Sequence, residues 1–142
     1  MRVQLGSQTY AGYAKDLTEW LYDQYGIENH HPTVMRNCSV SHQRGRNKGD
    51  VHQIVYAWQD FERCAIKGYD DYKSIMWVWG SEGAWGLEAI HRIVLHEFAH
   101  VIQAEDGKVF CGSVHNEYFV EKLQELLVIV PFEEFGLKFM AG

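Results

Sequence analysis

Proline is nearly missing from this chain: Pro32 and Pro131 are the two present, and no Pro-rich linker, low-complexity tract or internal repeat divides the sequence. A length of 142 residues without such boundaries predicts a single domain over 1–142, large enough to bury a core without covalent staples. Cysteine is scarce too. Cys38, Cys64 and Cys111 are odd in number and widely spaced, which excludes a disulfide framework and a Cys-x-x-Cys zinc knuckle and leaves them as packing residues. No run approaches the roughly 20 apolar residues that cross a bilayer, so no membrane partner is expected. The opening MRVQLGSQTY lacks the apolar stretch of a secretion signal, and the expected location is the cytoplasm. Cations are in deficit, with 13 Lys and Arg against 19 Asp and Glu for a formal charge of −6. That balance argues against general affinity for nucleic acid, which needs clustered cations. The local exception is Arg44-Gly-Arg-Asn-Lys48, with Arg36 nearby. Its glycine and asparagine predict a solvated turn, a phosphate or substrate contact being the alternative.

What is abundant is aromatic: five Trp, eight Tyr and seven Phe. Tyr10, Tyr13, Ala14, Leu17, Trp20 and Leu21 recur at helical spacing, with Ser7 or Thr9 to cap the start and Gly26 to end it. Thr33–Val40 reads as a strand and 42–49 as a turn or loop. Val51–Trp58 alternates Ile54, Tyr56 and Trp58 with Gln53, Val55 and Ala57, as a half-buried strand does. Ser74–Trp79, aromatic and β-branched, suits a third strand. A long helix is expected from about Ser81–Gly83 to Asp106-Gly107, where glycine can take the left-handed terminating conformation. A last helix is expected from Ser113 as N-cap to about Val128, burying Phe119, Leu123, Leu126 and Leu127, with Pro131 as its stop. The class is α+β: a small, mainly antiparallel three-stranded sheet with three helices.

The long helix carries the densest information. Ile93–Gln103 reads IVLHEFAHVIQ, with His96, Glu97 and His100 in the pattern His-Glu-x-x-His. Residues four apart on an α-helix lie about 400° around and roughly 6 Å along the axis, so both imidazoles project from one face. That separation suits one tetrahedral Zn²⁺, and Glu97 can contact a water on the same ion. Between Ile93 and Ile102 these three are the only polar side chains, as in a buried helix whose ionisable groups must be paired or bound to metal. The competing reading is a solvated stripe of Arg92, His96, His100 and Gln103 without an ion.

Catalytic zinc usually has three protein ligands and an open position. His115, expected in the first turn of the last helix, is the leading third candidate. Glu117 and Asp106 are the alternatives, Asp106 weakened because Gln103 stands where the corresponding pattern has a turn-making glycine. His91 lies about 140° around the helix from His96 and should not share the site. His30, His31, His42 and His52 are expected in loops or in local hydrogen bonds.

His96-Glu-Phe-Ala-His100, fourteen intervening residues, then His115-Asn-Glu-Tyr-Phe119, resembles the SprT-like zinc metallopeptidases, which include the Spartan proteases. In that family the His-Glu-x-x-His helix is followed by a His-Gly-x-x-Phe/Trp helix. The likeness covers Ile90–Leu127 well and the preceding elements more loosely. Asn116 departs from the family's glycine, and no Cys-x-x-Cys ribbon or basic tail follows here, so the resemblance does not by itself extend to DNA-linked substrates. The resemblance implies a zincin-like fold, a Zn²⁺ cofactor on His96, His100 and His115, and a polypeptide substrate whose bond is hydrolysed by a zinc-bound water that Glu97 activates. By the same analogy Trp77, on the strand before the motif helix, would touch an extended substrate, sheet core being the alternative, while Tyr118, three residues after His115, is a candidate hydrogen-bond donor at the cleft against the commoner reading of a packing tyrosine with a wet hydroxyl. The rival expectations are a catalytically idle, metal-stabilised interaction module and a nucleic-acid-associated protease recruited through the Arg44–Lys48 loop.

Overall fold

The computed structural model describes residues 7–69, 84–109 and 115–140. Helix α1 (Ser7–Gln24) is followed by strands β1 (Val34–Arg36), β2 (His42–Arg44) and β3 (Gln53–Ala57). Helices α2 (Trp58–Lys67), α3 (Gly86–Glu105), α4 (Glu117–Ile129) and α5 (Phe132–Met140) complete the described chain. The expected strand Ser74–Trp79, with Trp77, the expected helix start at Ser81–Gly83 and the expected N-cap Ser113 lie outside the described residues, as does Cys111.

Helix α1 buries Tyr13, Ala14, Leu17 and Leu21, the face its apolar spacing marks out. It ends where glycine permits: Gly26 has φ +64°, its N–H reaches the Asp23 carbonyl, and the Ile27 N–H reaches the Tyr22 carbonyl at 2.9 Å. This pairing satisfies carbonyls that would otherwise be orphaned at the helix end. Helix α3 closes the same way at Gly107, φ +68°, with the Lys108 N–H on the Gln103 carbonyl at 2.9 Å. From Ala89 to Ala104 only Arg92 and His100 escape burial, so α3 is the spine on which α1, α2 and α4 pack.

The sheet corrects the expected topology. Among the described residues its order is β1-β3-β2, with β1 parallel to β3 and β2 antiparallel to it, so the pairing there is mixed rather than mainly antiparallel. The first residues of 42–49 are a strand, not a loop, because His42, Gln43 and Arg44 pair with Val55, Ile54 and Gln53. The central position of β3 explains its burial, with Ile54 through Ala57 fully enclosed.

Two helices come without a forecast from periodicity. Helix α2 starts directly at Trp58, turning Phe61 and Cys64 to the core across one turn. Helix α5 starts one residue after Pro131, a position where the missing proline N–H removes no helical bond. Phe135 of α5 meets Trp20 of α1 edge-on at 4.8 Å. The basic segment starts at Arg44, the last residue of β2, and continues as the expected turn, with Arg44, Arg46 and Lys48 exposed. It is also fastened. Asp50 accepts the N–H groups of Arg46 and Asn47 at 3.0 Å, and Glu105 of α3 accepts the Gly49 N–H at 3.0 Å. Fully buried His52 bonds the same Glu105 oxygen at 2.7 Å.

Candidate metal centre

His96 and His100 stand on consecutive turns of α3, facing the N-terminal end of α4. His115 lies just before that end. Helix α4 begins later than the expected Ser113 cap implies: Asn116 is its N-cap, its side chain accepting the Phe119 N–H at 3.0 Å. His115 therefore sits outside the helix, on the segment leading into it. The three residues each offer a nitrogen within 4.8 Å of the others, a group able to hold a metal ion.

The geometry suits a small cation. The Nε2 atoms of His96 and His115 are 3.3 Å apart. Two nitrogens at 2.0–2.1 Å from a tetrahedral zinc are separated by about 3.3–3.4 Å. His96 is buried, and its other ring nitrogen, Nδ1, is enclosed with no hydrogen-bond partner among the described residues. Desolvation, then repulsion from His100 and His115, holds the His96 ring well below the ordinary histidine range. Burial likewise pulls His100 down to about 4, and lowers His115, whose inner side is packed while its outer side meets solvent. Three neutral imidazoles with lone pairs converging are what a divalent cation needs, since a ligand must shed its proton.

Phe119 forms the floor. Its ring lies parallel to that of His100 at 4.2 Å and 5.0 Å from those of His96 and His115. Glu97, nearly buried, lines the same cleft of about 490 Å³. Burial, then the charge of Asp60, pushes its carboxyl well above the ordinary range. A dication beside it would act in the opposite direction. Of the alternative ligands, Glu117 is exposed at the start of α4 and Asp106 accepts a hydrogen bond from the Tyr118 hydroxyl; neither joins the histidine group.

Tyr118 is not among the described residues that line the cleft; its hydroxyl is engaged by Asp106, and the ammonium groups of Lys108 and Lys122 lie 5.8 and 5.1 Å from its ring centre. The tyrosine that does line the cleft is Tyr69, edge-on to His96 at 6.4 Å. Helix α2 supplies the rest of that wall: buried Asp60 is paired with Arg63 and accepts the Ser41 N–H at 3.4 Å and the Cys64 thiol at 3.6 Å. Asp60 and Arg63 were not singled out from sequence, because α2 has no periodic apolar run long enough to announce it, and Cys64 was read only as a packing residue. His42, Gln43 and Arg46 face the cleft from the β2 side. His91 stays apart, as its angular position requires: it bonds the Tyr13 hydroxyl at 2.6 Å and the Val130 carbonyl at 2.8 Å.

Searches of protein-family models, of curated proteins and of solved structures find no match to this chain. The functional reading therefore stands on the site itself.

Proposed function

We propose that this chain is a zinc-dependent metallopeptidase with a zincin-like, SprT-like core. The observation that carries the reading is the joint placement of three convergent imidazoles and the Glu97 carboxylate at one cleft. His96, His100 and His115 would hold the ion, and their neutrality would leave its double charge intact. Zinc so held would acidify a water and polarise a peptide carbonyl, as a Lewis acid does. Glu97 is the base in this scheme: it takes the water's proton and returns it to the departing amine. Its buried setting favours the protonated state it reaches after the first transfer. A polypeptide is the substrate class, with β2 and the Gly68-Tyr69 segment lining the cleft that would receive it.

Metal analysis with casein cleavage tests this. Wild-type protein should carry one zinc per chain and cleave, and Glu97→Gln should keep the zinc while losing about 10²–10⁴ in turnover, the usual contribution of a general base. Zinc retention without cleavage by the wild type would favour the idle, metal-stabilised module instead.

A further inference from the structure

Gln103 and Asn116 are the two positions at which the sequence leaves glycine-bearing patterns, and in the fold they meet. The Gln103 amide nitrogen donates to Asn116 Oδ1 at 3.1 Å and to the Lys108 carbonyl at 3.3 Å. The Asn116 amide donates to the same carbonyl at 2.9 Å. Gln103 Oε1 lies 3.1 Å from His100 Nδ1. Gln103 is itself buried, 1% exposed, so these partners are the ones it has in place of water.

The polarity of this chain of contacts is fixed from one end. A backbone N–H can only donate, so the Asn116 atom that meets the Phe119 N–H must be the oxygen. The Gln103 atom facing that oxygen must then be its NH₂, a choice the Lys108 carbonyl independently requires. The Gln103 oxygen is left facing His100, and His100 Nδ1 must carry the proton. Nε2 keeps its lone pair bare.

We propose that Gln103 is a positioning residue that sets the tautomer and ring angle of His100, transmitting the donor polarity of the α4 N-terminus to a metal ligand on α3. The inference uses the proposed function only in treating the three histidines as ligands. Two consequences follow from the geometry. The ring nitrogen that must face the ion is prepared before the ion arrives, and the His115 segment is tied to α3 through Asn116. The departures at 103 and 116 are thus one device, each side chain filling the need created by the other.

The test begins with the metal-free protein near neutral pH, reading the His100 ring nitrogens by ¹⁵N-resolved magnetic resonance. Wild type should show the Nδ1–H form. Gln103→Leu should shift His100 toward the Nε2–H form that a free histidine side chain prefers and weaken zinc binding by about 10–100-fold, the usual effect of losing such a partner. Gln103→Met, unbranched like glutamine but without an acceptor for Nδ1–H, should show the same shift, and it decides the matter should the leucine variant fail to fold. A folded Gln103→Leu protein with the Nδ1–H tautomer and zinc affinity within about twofold of wild type overturns the inference, since such partners normally matter by tenfold or more. So does an Nε2–H His100 in wild type, or a folded Gln103→Met protein that keeps the Nδ1–H form. Wild type with the Nδ1–H tautomer but no zinc uptake would support the assignment to Gln103 while ending the peptidase reading.

Discussion

Phe119 is fully buried and touches all three imidazole rings, so its role joins stability to ligand geometry. Phe119→Ala should cost about 3–5 kcal/mol, as removal of a buried aromatic usually does. It should also weaken zinc binding, because the stacked His100 loses the surface that sets its plane. Denaturant melts and zinc titration of one preparation would check both. At this scale the sequence was informative about identity and less so about direction. His96, Glu97, His100 and His115 were all readable from spacing and ligand chemistry. The direction of Tyr118 was not, because it depends on where α4 starts, and Asn116 rather than a residue further upstream accepts the Phe119 N–H. A shift of the start by even one residue turns each side chain by about 100°.

Elements were legible in proportion to their length and periodicity. Helix α1 and the spine helix α3 announce themselves through long apolar spacing and glycine ends. Helices α2 and α5 do not, since ten and nine residues give few turns to establish a period. Strand β2 was hidden for another reason: its three residues, His42–Arg44, are polar, and pairing to β3 rather than intrinsic preference makes them a strand. The glycines allow a paired test of helix reasoning. Gly107 has φ +68° and Gly12 an ordinary helical setting in α1, and an added methyl group would meet nothing within 4 Å at either. Space is thus equal and backbone conformation differs. Gly107→Ala should destabilise by about 1 kcal/mol, while Gly12→Ala should stabilise by about 0.5–1 kcal/mol. Thermal melts giving the same sign for both would contradict the account.

For the whole molecule, His91 is the buried polar joint between α1, α3 and the end of α4, reached by Tyr13 from one side and donating to Val130 on the other. Burial lowers its pKa to about 4 from an ordinary value of 6.5. Between those values the unfolded chain binds a proton that the folded chain refuses, so stability is full above the window and declines as pH falls through it. The loss by pH 4 is about 3 kcal/mol at 1.36 kcal/mol per unit. In His91→Gln the slope of stability against pH over this range should be smaller by up to one proton, measured by urea unfolding of the metal-free protein. An unchanged slope would remove His91 from the explanation. The turn carrying Arg44, Arg46 and Lys48 has a different consequence. Its side chains offer trypsin three places to cut, yet its backbone is held by Asp50 and by Glu105, with Asn29 donating to the Gly49 carbonyl at 2.9 Å. A protease must peel a segment into extended form before cleaving it, and here peeling would strand the buried His52 without its carboxylate. Native protein should therefore survive digestion at Lys48, whereas Glu105→Ala should be nicked there about tenfold faster or more, in keeping with the loss of charge-assisted hydrogen bonds.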